Sequence, residues 1–69
     1  MLRKCKDEKV TINYAGFGNV EYSCISAIFY NPDEDILLIK WADDDCTICE
    51  NASDAYGFIT FEDGAEWKL

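Results

Sequence analysis

Apolar and polar side chains alternate with a period of two along most of this 69-residue chain. In one clear example, Val10, Ile12 and Tyr14 are apolar or aromatic, whereas the two residues between them are polar. Successive side chains of a strand point to opposite faces, so this pattern is typical of a strand with one buried face. No stretch shows a convincing helical period. The sequence therefore predicts an all-β fold.

Turn signals divide the chain into about five strands. Clusters of Gly, Asn, Asp and Pro mark the turns at 15–19, 31–35, 43–45, 51–54 and 62–64. The strands between them are predicted at 10–14, 20–30, 36–41, 46–50 and 55–61, with a short final strand at 65–69. We expect one domain, an antiparallel meander curled into a twisted sheet or small barrel. Residues 1–8 are basic and are expected to fray.

The segment 20–30 is long for a single strand, and its polar face turns apolar halfway along. This change predicts either burial on both faces or a bend at a bulge near Ser26. The side chains expected to be largely buried in the core are Ile12, Ile28, Leu38, Ile39 and Phe58.

Charge is distributed unevenly along the chain. The net charge is −8, but residues 1–9 carry +2, whereas residues 10–69 carry two lysines against twelve acids. A domain body with this balance repels nucleic acids and anionic membranes, and it attracts basic surfaces. The excess of acids exceeds the net charge of about 2–8 that suffices for solubility in a small domain. A basic protein partner is therefore predicted.

No pattern of catalytic residues is present. The chain has no histidine, no serine-centred motif and no glycine-rich phosphate loop, and its acidic runs lack the alternating ligands and central glycine of a calcium loop. We therefore predict that the protein is not an enzyme and uses no cofactor. No secretory segment or apolar run that could span a bilayer is evident, so we expect a cytoplasmic location with reduced thiols.

The four cysteines leave two interpretations open. A structural zinc ion would need Cys5, Cys24, Cys46 and Cys49 together, because four thiolate or imidazole ligands are required. The spacing of Cys46 and Cys49 places them on opposite faces of a regular strand, and the preceding aspartates disfavour the thiolate form that redox catalysis requires. We favour free thiols that act as small core residues, with Cys24 and one of the Cys46–Cys49 pair buried.

Two hypotheses of function follow from these features. The first is an acidic inhibitor, encoded by a phage or another mobile element, that blocks a basic nucleic-acid-binding surface in the manner of anti-restriction, anti-CRISPR or repair-inhibitor proteins. The second is a small metal-stapled or oligomeric β-module with a structural role. The residues predicted to contact a basic partner are the turn acids Asp33, Glu34, Asp35, Asp43, Asp44, Asp45, Glu62 and Asp63.

Overall fold

A computed structural model of the protein describes residues 1–69 and shows eight strands and one short helix. The elements are β1 (Leu2–Lys4), β2 (Val10–Tyr14), β3 (Gly18–Tyr22), β4 (Ile25–Asn31), β5 (Ile36–Trp41), β6 (Cys46–Glu50), α1 (Ala52–Ala55), β7 (Tyr56–Phe61) and β8 (Glu66–Lys68). No helix is long and apolar enough to cross a bilayer.

The strands form two antiparallel sheets of four strands each. The first sheet has the order β1-β4-β5-β6, and the second has the order β3-β2-β7-β8. Four pairs of consecutive strands form hairpins, namely β2–β3, β4–β5, β5–β6 and β7–β8. In contrast, β1 pairs with β4 and β2 pairs with β7 across longer stretches of chain. The predicted all-β, antiparallel fold is confirmed. Because of these two long-range pairings, β1 joins the sheet of β4, β5 and β6, whereas the β2–β3 hairpin joins the sheet of β7 and β8.

The segment 20–30 changes sheets in its middle. Strand β3 ends at Tyr22 in the second sheet, and β4 begins at Ile25 in the first. The pairing of β4 with β5 also shifts register between Ile25 and Ala27, which places a bulge at Ser26. The predicted bend is therefore present, because the chain crosses from one sheet to the other immediately before the bulge.

The core lies between the inner faces of the two sheets. All twelve buried residues are apolar or aromatic and form one cluster. Ile12, Ile28 and Ile39 are fully buried as predicted. The prediction was wrong for Leu38 and Phe58, which are only half-buried. Their neighbours Leu37 and Ile59 occupy the core instead, because strand alternation lets only one residue of each apolar pair face inward.

The basic N-terminal segment does not fray. Strand β1 pairs with β4, and the Tyr30 N–H donates to the Met1 carbonyl at 2.8 Å. The Arg3 guanidinium lies 4.3 Å from the centroid of the Phe61 ring and forms ion pairs with Glu8 and Asp63. These contacts hold an edge strand of the first sheet against the second sheet.

The alternation in β5 predicts that truncating two adjacent leucines destabilises the protein to different extents. We expect Leu37→Ala to lower the free energy of unfolding by about 2–5 kcal/mol because it opens a cavity in the core. Leu38→Ala should cost only about 1 kcal/mol, since its half-buried side chain loses less apolar contact. Urea unfolding at low protein concentration measures both values. Equal losses at the two positions would contradict the facing of this strand.

Candidate functional site

The β5–β6 turn presents three consecutive carboxylates on a tightly bonded backbone. The Trp41 N–H donates to the Asp45 carbonyl at 2.9 Å, and the Asp44 N–H donates to the Trp41 carbonyl at 3.1 Å. The Asp43 side chain accepts the Asp45 N–H at 3.1 Å. Asp44 has a φ of 71°, the left-handed conformation in which Asp and Asn are tolerated better than most residues.

The β7–β8 turn repeats this geometry with a different sequence. The Phe61 N–H donates to the Ala65 carbonyl at 2.9 Å, and the Gly64 N–H donates to the Phe61 carbonyl at 2.9 Å. Asp63 accepts the Ala65 N–H at 3.0 Å, and Gly64 takes the left-handed position with a φ of 91°. Both turns therefore use an aspartate that bonds the backbone two residues later, followed by a residue with positive φ.

Comparison of the two turns separates structural carboxylates from dispensable ones. Asp43 has the role of Asp63, so its carboxylate oxygen belongs to the turn. Asp44 corresponds to Gly64 and Asp45 to Ala65, so the same backbone forms without charge at either position. The negative charges of Asp44 and Asp45 are thus not required by the turn they occupy.

A groove of about 480 Å³ opens beside this turn. Its lining residues are Cys24, Trp41, Ala42, Asp43, Asp45, Cys46 and Thr47. The Trp41 indole N–H donates to Thr47 Oγ1 at 2.9 Å, and its ring packs edge-on against Tyr22 with centroids 5.1 Å apart. These two contacts fix the aromatic wall of what we call the acidic groove.

The acidic groove has the chemistry of a cation site. Carboxylates accept charge-assisted hydrogen bonds from guanidinium and ammonium groups, and an aromatic ring adds attraction for a cation held near it. A planar arginine side chain suits such a site particularly well because it can bond two carboxylates and stack at once. The groove therefore combines two carboxylates with an aromatic ring, a chemistry suited to a cation.

Few carboxylates are neutralised within the molecule. Of fourteen acidic side chains, only Glu8 and Asp63 lie within 4 Å of a cationic group, and both pair with Arg3. No charged residue is buried. The other twelve acidic side chains, including all three of the β5–β6 turn, have no cationic group of the molecule within 4 Å.

Asp35, another residue predicted to contact a partner, has a structural role. Its carboxylate accepts the Tyr30 hydroxyl at 2.6 Å and the Ser53 hydroxyl at 2.5 Å, and it also accepts the Ser53 N–H at 3.0 Å. These bonds, those of Ser53 first, lower the pKa of Asp35. The bond to Asp35 also helps to raise the pKa of Tyr30 to about 12. Asp35 thereby joins the β4–β5 turn to α1, where Asn51 makes no side-chain cap.

The β7–β8 turn acids are also engaged in the fold. Glu62 accepts the Lys9 N–H at 3.1 Å, and Asp63 lies 3.0 Å from the Arg3 guanidinium. The Ala65 N–H and then Arg3 lower the pKa of the Asp63 carboxyl. Both acids therefore connect the second sheet to the N-terminal segment.

Asp33 and Glu34 have exposed side chains, and their backbone N–H groups are bonded to the Asn31 side chain. As predicted, their turn and the 43–45 turn lie at opposite ends of β5. Asp63 lies beside β1, and β1 and β6 are opposite edges of the first sheet. The eight predicted residues therefore do not form one continuous surface, and only Asp43 and Asp45 of them line the acidic groove.

The thiols differ from the predicted arrangement. Cys5 is fully buried, whereas Cys24 and Cys46 are exposed and Cys49 is half-buried. The expectations that Cys24 and one of the Cys46–Cys49 pair would be buried were both wrong. Cys24 lies in the short crossing between the sheets, and the other two lie on β6, an edge strand of the first sheet. No three Cys, Asp or Glu side chains come together in a metal-binding group, so the four cysteines do not share a site.

Trp41 is the site residue that sequence reasoning missed. Trp41 lies two positions before the three aspartates, and this closeness in sequence was the signal that an aromatic ring and carboxylates would be neighbours. Comparison with protein-family models, curated proteins and solved structures finds no match to this chain. The geometry of the acidic groove is therefore the basis for the function proposed below.

The bonds of Asp35 predict sensitivity to acid. Because folding lowers its pKa, its contribution to stability is present above the unfolded pKa near 3.8 and is lost as pH falls through the folded value. We expect Asp35→Asn to destabilise the protein at pH 7 and to flatten the acid-side loss of stability. Thermal unfolding from neutral to acidic pH tests this. Asp33→Asn is the control, and an equal effect there would contradict the assignment.

The thiol environments predict an order of alkylation. Cys24 and Cys46 should react with iodoacetamide in the folded protein, Cys49 should react more slowly, and Cys5 should react only after unfolding. Burial raises the pKa of the Cys5 thiol and also blocks access to it. Peptide mass spectrometry of a labelling time course measures this order. Stoichiometric zinc in the purified protein, with protection of all four thiols, would refute it.

Proposed function

We propose that this chain is a non-catalytic acidic binding protein that blocks a basic, nucleic-acid-binding surface of a partner. Its carboxylates occupy positions that phosphates would otherwise take, as in an inhibitor of a restriction enzyme, a repair enzyme or a CRISPR effector. Such inhibitors are encoded by phages or other mobile elements and act in the cytoplasm, where the cysteines remain reduced. The proposal rests on the chemistry of the surface.

One observation supports this function most strongly. Asp44 and Asp45 carry charges that the β7–β8 turn, with the same backbone geometry, does without. Three adjacent carboxylates repel one another, and no cation of the chain lies within 4 Å of them. A basic partner that neutralises these charges would offset that unfavourable energy.

The acidic groove gives the proposed contact a specific form. A partner arginine or lysine enters the groove between Asp43 and Asp45, next to Trp41, while the outlying acids attract the partner at long range. Long-range attraction between exposed charges weakens as the Debye length falls from about 30 Å at 0.01 M salt to about 8 Å at 0.15 M. Association should therefore be fast at low salt and depend steeply on salt.

The metal-stapled alternative receives no support from side-chain positions. Cys24 and Cys46 line the acidic groove, Cys5 is buried in the core, and no metal-binding group of three side chains exists. The oligomeric part of that alternative concerns a different surface, the outer face of the first sheet.

The test replaces Asp43, Asp44 and Asp45 together by asparagine. Asparagine keeps an oxygen for the Asp45 N–H and tolerates positive φ, so the turn should persist and the protein should be no less stable. Proteins captured from a bacterial lysate at low salt are assayed for binding to a labelled DNA duplex. The wild-type chain should displace the duplex from a captured protein, and the triple variant should bind that protein about tenfold more weakly or worse.

A matched control removes three charges elsewhere. Glu21→Gln, Asp54→Asn and Glu66→Gln alter exposed acids of β3, α1 and β8 without touching the groove. This control should retain most of the wild-type affinity. Equal losses in the two triple variants would show that only net charge matters, and a captured protein that still binds the duplex with the chain attached would refute the proposal.

A further inference from the structure

The outer face of the first sheet carries an apolar row that crosses all four strands. In the strand register, Leu2 lies opposite Phe29, Phe29 opposite Leu38, and Leu38 opposite Ile48. Leu2 and Ile48 are each 65% exposed, and Phe29 is 39% exposed. The sequence neighbours of Phe29 and Leu38 belong to the core on the other face, so strand alternation holds these two side chains outside it. The register places Leu2 and Ile48 on the same face. We call these four residues the outer row.

The outer row is flanked by charges of opposite sign. On one side, the next row of the same face contains Lys4, Ala27, Lys40 and Cys46. On the other side, the next row contains Asn31, Ile36 and Glu50. Lys40 is one of only two basic residues between positions 10 and 69. This face therefore differs from the rest of the surface in both its apolar content and its cations.

These features point to a second copy of the chain as the occupant. A basic partner, which the rest of the surface attracts, would meet Lys4 and Lys40 here and be repelled. A two-fold axis along the outer row instead places the lysine row of one copy over the Glu50 row of the other. The same axis superimposes the two apolar rows, so the face is complementary to itself in both charge and hydrophobicity.

We propose that the protein forms a two-fold symmetric dimer through the outer row, in which Lys40 of each copy reaches Glu50 on the adjacent strand of the other. Four strands spaced by about 4.8 Å give a face about 19 Å wide, so the interface lies at the small end of specific interfaces. A standard contact of about 800 Å² per partner would cover about a fifth of the 4347 Å² surface. The dimer therefore forms at micromolar or higher concentration.

Salt separates this dimer from the acidic-groove function. Each copy carries a net charge of −8, so overall repulsion opposes dimerisation and is screened as salt is added. Dimerisation should strengthen from low to moderate salt, whereas binding of a basic partner should weaken. The acidic groove and the outer row share no residue, and only Cys46 belongs both to the groove and to the lysine row beside the outer row. The substitutions that test one proposal change no residue of the other surface, so either proposal can fail without the other.

The first experiment is sedimentation equilibrium of the full chain from about 1 μM to about 1 mM. Ile48→Thr removes apolar contact but keeps a β-branched residue at an exposed position, so folding should be retained. It should weaken dimerisation at least about tenfold, because the change occurs in both copies. Phe17→Ser is the control, since Phe17 is 80% exposed in the β2–β3 turn away from this face. A monomer at every concentration, or equal weakening by both changes, overturns the proposal.

The second experiment tests the orientation by exchanging charges. Lys40→Glu and Glu50→Lys should each weaken self-association, because each brings like charges together in a symmetric dimer. Mixing the two variants should restore a heterodimer, because both contacts again join opposite charges. Within one chain the two positions are about 13 Å apart along the strands, so contacts in a single copy do not explain restoration. Absence of heterodimer in the mixture, with both variants folded, overturns the two-fold arrangement.

Discussion

Aliphatic side chains packed between the two sheets hold this molecule together, and its other properties depend on that contact. Isoleucines of β2 and β7 in the second sheet share one buried cluster with isoleucines of β4 and β5 in the first. No polar or charged side chain is buried, and no buried side-chain nitrogen or oxygen lacks a hydrogen-bond partner. Because every charge stays at the surface, the acidic composition opposes folding only through screened repulsion, without the desolvation penalty of buried ions.

The surface charges divide into two groups with different consequences. Arg3, Asp35, Glu62 and Asp63 connect elements that the backbone ladders leave separate, and Asp35 links the two sheets through α1. The carboxylates of the β5–β6 turn connect no separate elements, and Asp43 bonds only the Asp45 N–H within its own turn. A small domain can therefore carry many acidic side chains and use only a few of them for its own stability.

How much of the fold could be predicted depends on whether each sequence pattern reports local or long-range structure. Alternation and turn residues predicted β2, β5, β6 and β7 almost to the residue, because these signals are local. The partner of β1 depends on contacts more than twenty residues away, so the N-terminal strand was missed. Adjacent apolar pairs such as Leu37 and Leu38 left the inward face ambiguous. Net charge predicted a class of partner. The hydrogen bonds of the structure were needed to distinguish Asp35, which joins two elements, from Asp44, whose charge the turn does not require.

The shared geometry of the 42–45 and 62–65 turns implies that the charge at this corner can change without refolding. One sequence places charge at two positions where the other places glycine and alanine, and the backbone closes in the same way around both. Natural variants can therefore place Gly, Asn or Asp at the positive-φ residue 44 and vary residue 45 while the hairpin persists. Under the proposed function, such exchanges would alter the contact with a partner and leave the backbone of the turn in place.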